Sequence, residues 1–462
     1  MNITINDVFK YFISIDNIER DDLLNHDEFI KAKQTNSIFS SILEENMSFK
    51  QYCTTFVNKY RGIIDNGNAN EGKNLPYRME NMAEVQPCVW EPITRVLTQD
   101  EVNENIFNIK TPEGQKISSS INFNTEEGLY MLKHLSYDEE AFRDFPIENL
   151  PEGWNPKEIL ELGKDPGMNV KKIHAMGYTG KDVTVAIVDT PIIMHNEIKS
   201  SIVGYEVMNN SLALDPHAYF HGQAVSSILC GDETGIAPDS KLVYFAAETT
   251  KNDRFQALKR IIEINTEAEN NNQAENKIKV VSLSWEINKG MEGYDEFRKL
   301  LKELYENGVF VVTGGFNMID ESITGGKFAR CSLEKKDQQG DPNDYSNYIP
   351  VYDIPDYPES TLFVLTGDKT VASATNPNSF RHDSQESTSW GVPTLAGIYT
   401  CALQCAEKNG IELTPKLFWD YAYKTGKEIY ENGEMVGKAV DAEALINAIL
   451  QDTQIKRKPF GL

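Results

Sequence analysis

Four short runs of Val, Ile, Leu and Phe, alternating with segments of helical pattern, constrain this chain more than any other feature. They are "DVTVAIVDT" (182–190), "KLVYFAA" (241–247), "KIKVVSLSW" (277–285) and "NGVFVVTGG" (307–315). Each is too evenly apolar to turn one face to water, so each reads as a strand buried on both sides. The segments "RFQALKRIIEINTEAE" and "YDEFRKLLKELYENG" read as helices between them. Strand and helix in alternation imply an α/β fold with a parallel sheet covered on both faces. In such sheets the chemically active side chains gather at the carboxyl ends of the strands. Asp189, Ser284 and Asn317 fall at those ends.

The alternation begins near residue 166. Before it, residues 1–75 read as short amphipathic helices ending in the polar stretch "DNGNANEGKNLP", which has loop or linker composition. Residues 76–165 are mixed and acidic, and "SSINFNTEEGLYMLKHL" suggests a strand running into a helix. The domain reading is a largely helical, regulatory extension over 1–75, a mixed α/β extension packing on the core over 76–165, the main domain over 166–450 and a tail over 451–462.

Asp and Glu number 70 against 45 for Lys and Arg, a formal net charge of −25. Such a surface repels nucleic acid and anionic membranes, so neither is expected as a partner. The N-terminus lacks the basic start and apolar core of a signal peptide. No stretch reaches the roughly 18 apolar residues of a membrane span. The six cysteines form no CxxC pair, and Cys401 and Cys405 read as small core residues on one helix. A cytoplasmic address follows.

The stretch "SQESTSWGVPTLAG" (384–397) sets a run of hydroxyls ahead of an apolar helical pattern. Ser and Thr at such an entrance are ordinarily caps for the first free N–H groups. The same position also suits a nucleophile, because backbone donors at a helix N-terminus stabilise negative charge. Two further pieces favour the second use. Asp189 closes the first strong strand, and His221, one of seven histidines, opens a small-residue helix in "FHGQAVSSILCGDETGIAPDSKL" (220–242). Asp, then His, then Ser is one of the chain orders in which a hydrolytic triad occurs.

In these blocks the chain resembles the subtilisin-like serine proteases (subtilases, peptidase family S8). "TGKDVTVAIVDT" is similar to the strand carrying that family's catalytic Asp, and "HGQAV" followed by "GIAPDSKL" to its His helix and the turn after it. "KVVSLSW" resembles the substrate-flanking strand, and "GVFVVTGGFN" the strand that delivers the oxyanion-hole Asn. "STSWGVPTLAG" resembles the nucleophile block, and "VGKAVDAEALINA" the closing element. The likeness runs from about 166 to 450 in the family's order. It implies a three-layer sandwich with a parallel central sheet, and an Asp189–His221–Ser389 triad. It also implies an oxyanion hole at Asn317 and substrate contacts at Ser284 and Trp285. The activity implied is serine endopeptidase cleavage of protein or peptide substrates without a cofactor.

The pattern departs from the family at Pro191, Gln223, Ala224, Phe316, Ser387, Trp390, Gly391 and Val392. Trp390 is expected to pack beneath the site, and Pro393 to sit early in the helix, where its missing N–H costs little. The number of altered positions keeps one alternative open, a catalytically weak subtilase-fold protein that binds a peptide or partner. Residues 318–360 read as a long polar loop, either a lid or substrate wall, or a disordered or merely decorative surface segment. Its acidic cluster "GDPNDYSN" offers oxygens of the kind Ca²⁺ prefers but lacks EF-hand spacing, so a structural calcium is unsupported. His217 and His221 are four apart, a spacing used for Zn²⁺ on a helix. Here "LDPHAYFHG" reads as loop up to His221, and the Glu of H-E-x-x-H is absent. No metal is expected. A Rossmann-type nucleotide site needs a glycine loop after the first strand, and "VDTPIIMHNE" has none.

Overall fold

A computed structural model describes residues 76–78, 99, 116–208, 216–247, 251–287, 289–314, 326, 328–333, 340–351, 361–374, 376–384 and 386–451. The extension expected over 1–75, residues 452–462 of the tail and Asn317 lie outside the described residues. The described chain opens with α1 (Glu126–Leu132), β1 (Tyr137–Asp138), α2 (Pro156–Gly163) and α3 (Val170–Ala175). The strand expected ahead of α1 does not form. Its polar side chains take the backbone N–H groups that a ladder needs, with Asn124 N–H donating to Asn122 Oδ1 at 2.9 Å and Asn122 N–H to Gln99 Oε1 at 2.8 Å.

The central sheet follows as β2 (Thr184–Asp189), β3 (Ile202–Val207), α4 (Pro216–Cys230), β4 (Lys241–Ala246), α5 (Lys251–Asn270), β5 (Ile278–Leu283), α6 (Tyr294–Glu306) and β6 (Phe310–Thr313). Its five strands run parallel in the order β3-β4-β2-β5-β6. Side chains alternate across a strand. Accordingly Val185 and Ile187 of β2 enter one apolar cluster while Ala186 and Val188 enter the other. The second of these clusters is filled by α5 and α6. The α/β architecture with helices on both faces is the one read from the sequence.

The chain continues with β7 (Phe328–Leu333), β8 (Tyr348–Val351), β9 (Leu362–Leu365), β10 (Lys369–Ala372), β11 (Phe380–Asp383), α7 (Thr388–Lys408), α8 (Pro415–Thr425), β12 (Lys427–Glu431), β13 (Glu434–Ala439) and α9 (Ala442–Gln451). α4, α7 and α9 supply the helical side of the first cluster, with Cys401 and Cys405 buried in it. Two further sheets were not anticipated: β12-β13-β9-β7-β8, and the antiparallel trio β1-β11-β10. Strands β7 and β8 lie inside the stretch read as loop. Asp341 and Asp344 in its acidic cluster close local turns, accepting from Asn343 N–H at 2.8 Å and Ser346 N–H at 3.0 Å. Among the described residues no helix is long and apolar enough to cross a membrane.

Candidate active site

β2 ends at Asp189, whose side chain is fully buried. Its Oδ1 accepts three hydrogen bonds: from Thr190 N–H at 2.8 Å, from Thr190 Oγ1 at 3.3 Å and from His221 Nδ1 at 2.7 Å. Burial pushes this carboxyl up. The charge and hydrogen bond of His221, the charge of Arg254 and the Thr190 N–H outweigh it, so the group lies below its ordinary value. It is therefore ionised at neutral pH, and the imidazole nitrogen facing it must be the one that carries hydrogen. Nε2 is then the acceptor nitrogen of the ring, whose side chain is 34% exposed.

The pair is held from behind. Thr190 Oγ1 accepts from Gly222 N–H at 3.1 Å, and the Thr190 carbonyl accepts from the Tyr244 hydroxyl. A Cβ at Gly222 would run into that same carbonyl and hydroxyl. Glycine therefore follows His221 because the backbone of α4 must touch the end of β2 there. The helix begins at Pro216, earlier than read from the sequence, with a proline in the first position, where the ring is tolerated. His217 and His221 thus share one helix, though the His217 side chain lies outside the described residues. Among the described residues no group of three or more His, Cys, Asp or Glu could hold a metal ion.

Ser389 is the second residue of α7, and Ser387 is its N-cap. The Ser387 Oγ accepts from Ser389 N–H at 3.2 Å. Trp390, 3% exposed, packs as expected: its ring lies 5.5 Å from the His221 ring and edge-on to Phe220 at 5.9 Å. This contact brings the start of α7 against the second turn of α4. Pro393 is the sixth residue of α7, deeper than the early position expected. Its missing N–H deprives the Ser389 carbonyl of a helical donor. The Ser284 hydroxyl takes that place, donating to Ser389 O at 2.9 Å.

Ser284 therefore ties the end of β5 to the start of α7. The Trp285 ring packs on Phe297 at 5.4 Å and Phe255 at 6.4 Å, and the Arg254 guanidinium lies 5.3 Å from its centre. Both side chains read as substrate contacts are half-buried and make these contacts within the protein. Gly314 N–H donates to Trp285 O at 3.3 Å, joining the ends of β5 and β6. Asn317 follows this end and lies outside the described residues. Thr190, Tyr244 and Arg254 were not singled out from the sequence. Thr190 had a visible signal as the hydroxyl beside Asp189, whereas Arg254 sits in "KNDRFQALKR", which reads as a charged surface.

Comparison with known proteins adds an independent finding. The model of the subtilase family, peptidase S8, matches residues 180–413. Solved structures similar to this chain include the prenylagaramide maturation protease PagA, at 15% identity over 61% of this chain and 98% of that one, with a TM-score of 0.41. The subtilase cytotoxin SubAB assembly matches at 11% identity, covering 62% of this chain and 95% of that one, with a TM-score of 0.47. The PatG macrocyclase domain matches at 11% identity, again over 62% and 95%, with a TM-score of 0.44.

Proposed function

Because the chain belongs to the subtilase family, we propose that it is a serine-type endopeptidase that cleaves protein or peptide substrates at Ser389. Ser389 Oγ attacks the peptide carbonyl carbon, and His221 Nε2 takes the hydroxyl proton as the bond forms. His221 then gives that proton to the departing amine. Water, deprotonated by the same nitrogen, then attacks the acyl carbon, and His221 returns that proton to Ser389 Oγ as the carboxylic acid leaves. Asp189 fixes the tautomer and balances the imidazolium charge. The Asn317 side chain and the Ser389 N–H meet the oxyanion. No step draws on a cofactor, and the setting is the cytoplasm.

The observation that carries this reading is the 2.7 Å bond from His221 Nδ1 to a buried, ionised Asp189, with the Ser389 end of α7 packed against the same imidazole through Trp390. A fluorophosphonate probe tests it. Wild type should label at Ser389 and turn over peptides, and Ser389→Ala should do neither. Absence of labelling in folded wild type would overturn the proposal. It would favour the second reading, a subtilase-fold protein that binds a peptide or partner without efficient cleavage. One contact favours that alternative: the Ser387 hydroxyl, where the family has glycine, occupies the Ser389 N–H.

A further inference from the structure

Arg254 is an unusual residue to find inside a protein. It is 3% exposed, and its Nη1 donates to the Val188 carbonyl at 3.3 Å. Its remaining close partner is the face of Trp285, at 5.3 Å. Its Nε has no hydrogen-bond partner, and among the described residues no carboxylate lies within ion-pair distance of it. A guanidinium cannot shed its proton to escape burial, so its charge must be compensated by a field. The Asp189 carboxylate is the counterpart: it follows the very residue whose carbonyl Arg254 holds, and its Oδ2 is likewise buried and unpartnered. The β2–β5 ladder ends at the Ile187–Ser282 pair, so the Val188 carbonyl lies beyond it, where the guanidinium reaches it.

We propose that Arg254 is a positioning residue of the Asp189–His221 pair. Its buried guanidinium braces the end of β2 between the Val188 carbonyl and the Trp285 ring, and its charge keeps the imidazole neutral at rest. This rests on the endopeptidase reading for its effect on turnover, but its electrostatic content stands apart from it. With Arg254 present, the buried guanidinium and carboxylate sum to zero, and a proton on His221 adds an uncompensated charge. Without Arg254, the carboxylate alone invites that proton. Burial leaves the Arg254 guanidinium below its ordinary value, opposed by the charges of Asp189 and Asp253.

Among the described residues, the following groups adjoin the pair. From β4 comes Tyr244, whose hydroxyl is pushed well above its ordinary value by burial and by Asp189, so it stays neutral. From α5 come Arg254 and its neighbour Asp253. From α4 and α7 the adjoining side chains are Phe220 and Trp390, which do not titrate. Beyond the end of β5, Trp285 packs on Arg254 and Ser284 bonds the Ser389 carbonyl.

Two substitutions separate charge from hydrogen bond. Arg254→Gln keeps a donor for the Val188 carbonyl and loses the charge, while Arg254→Lys keeps the charge. Arg254→Gln should lower kcat roughly tenfold with little change in KM, and move the acid limb of the pH profile up by roughly one unit. Arg254→Lys should restore most of both. The titration of the His221 ring, followed by NMR and assigned by its loss in His221→Ala, should rise in Arg254→Gln alone. That readout needs no turnover, so an inert wild type would sink the endopeptidase reading while leaving this one on trial. An unmoved His221 titration in folded Arg254→Gln, or equal losses in Gln and Lys with an unchanged pH profile, would overturn the proposal.

Discussion

Thr190 illustrates how the reacting side chains depend on a neighbour that does no chemistry. Its N–H and hydroxyl both reach Asp189 Oδ1, while the same hydroxyl accepts from Gly222, so the carboxylate and the helix of His221 are registered through one residue. Substitutions at the pair itself should act as a unit. Asp189→Asn and His221→Ala should each lower kcat roughly 10³–10⁴-fold with the fold intact, and neither should add to Ser389→Ala. More than a few per cent of wild-type turnover in either would remove that residue from the mechanism. The acid side of the pH profile belongs to the imidazole. Asp189 is depressed in the folded state, so its contribution to stability is complete above its unfolded value and disappears only as pH falls through the lower folded one. Activity should therefore vanish as His221 protonates, while circular dichroism still reports a native fold. Loss of both together below the ordinary carboxylate range would shift the blame to Asp189. Ser387 should behave in the opposite sense. Its hydroxyl caps the N–H that the oxyanion needs, and such a cap is worth about 1 kcal/mol, or roughly fivefold in rate. Ser387→Ala should melt lower yet turn over faster, and a variant that is both less stable and slower would show that the hydroxyl assists.

At the scale of elements, the site exists because the end of β2 touches the second turn of α4. Gly222→Ala would place a methyl group against the Thr190 carbonyl and the Tyr244 hydroxyl, both of them held in the core. Overpacking of this kind costs about 1–3 kcal/mol. The helix must then shift away from β2, stretching the 2.7 Å bond to Asp189. The expected result is a lower melting temperature together with a fall in kcat larger than the stability loss explains. A variant with native kcat would mean that α4 has slack at this point. These same elements were the legible ones. β2, β4, β5 and β6 all lie within the four apolar runs, because a strand buried on both faces must be apolar throughout. Asp189 and Ser389 were legible because each stands at an element's end, where pattern changes to chemistry, and His221, the sixth residue of α4, through the small-residue run that follows it. "FARCSL" was not legible as β7: Arg330 and Ser332 interrupt its apolar character, and its parallel partner β9 lies beyond the intervening β8. Nor was Ser284's bond to the Ser389 carbonyl, since nothing local to either residue shows that Pro393 leaves that carbonyl without a donor.

At the scale of the whole molecule, the central sheet is tied to chain far upstream by one buried acid. Glu206 on β3 is fully buried and receives Arg78 through both its backbone N–H, at 3.0 Å, and its guanidinium, at 3.1 Å. Arg260 of α5 donates to the same carboxylate at 3.0 Å and to the Pro76 carbonyl at 2.9 Å. Tyr205 N–H donates to the Arg78 carbonyl at 2.9 Å, so residues 76–78 run along the outer edge of β3, with Tyr77 buried over Gly204. An edge strand left open is a template for wrong pairing, and this segment covers it. The carboxylate tolerates burial only while its cations stay in place. Arg260→Ala should therefore cost roughly 3 kcal/mol, most of it from the charge left behind rather than from the contact removed. Arg78→Ala should cost less, because its side chain is 56% exposed and solvent already screens that pair. Combining Arg260→Met with Glu206→Gln should recover much of the loss, since no uncompensated charge then remains. Urea unfolding of the full chain distinguishes these outcomes. If the double variant is as unstable as Arg260→Ala, the cost lies in packing between β3 and α5. Recovery, by contrast, would locate the anchor of the upstream chain in the Glu206 carboxylate itself.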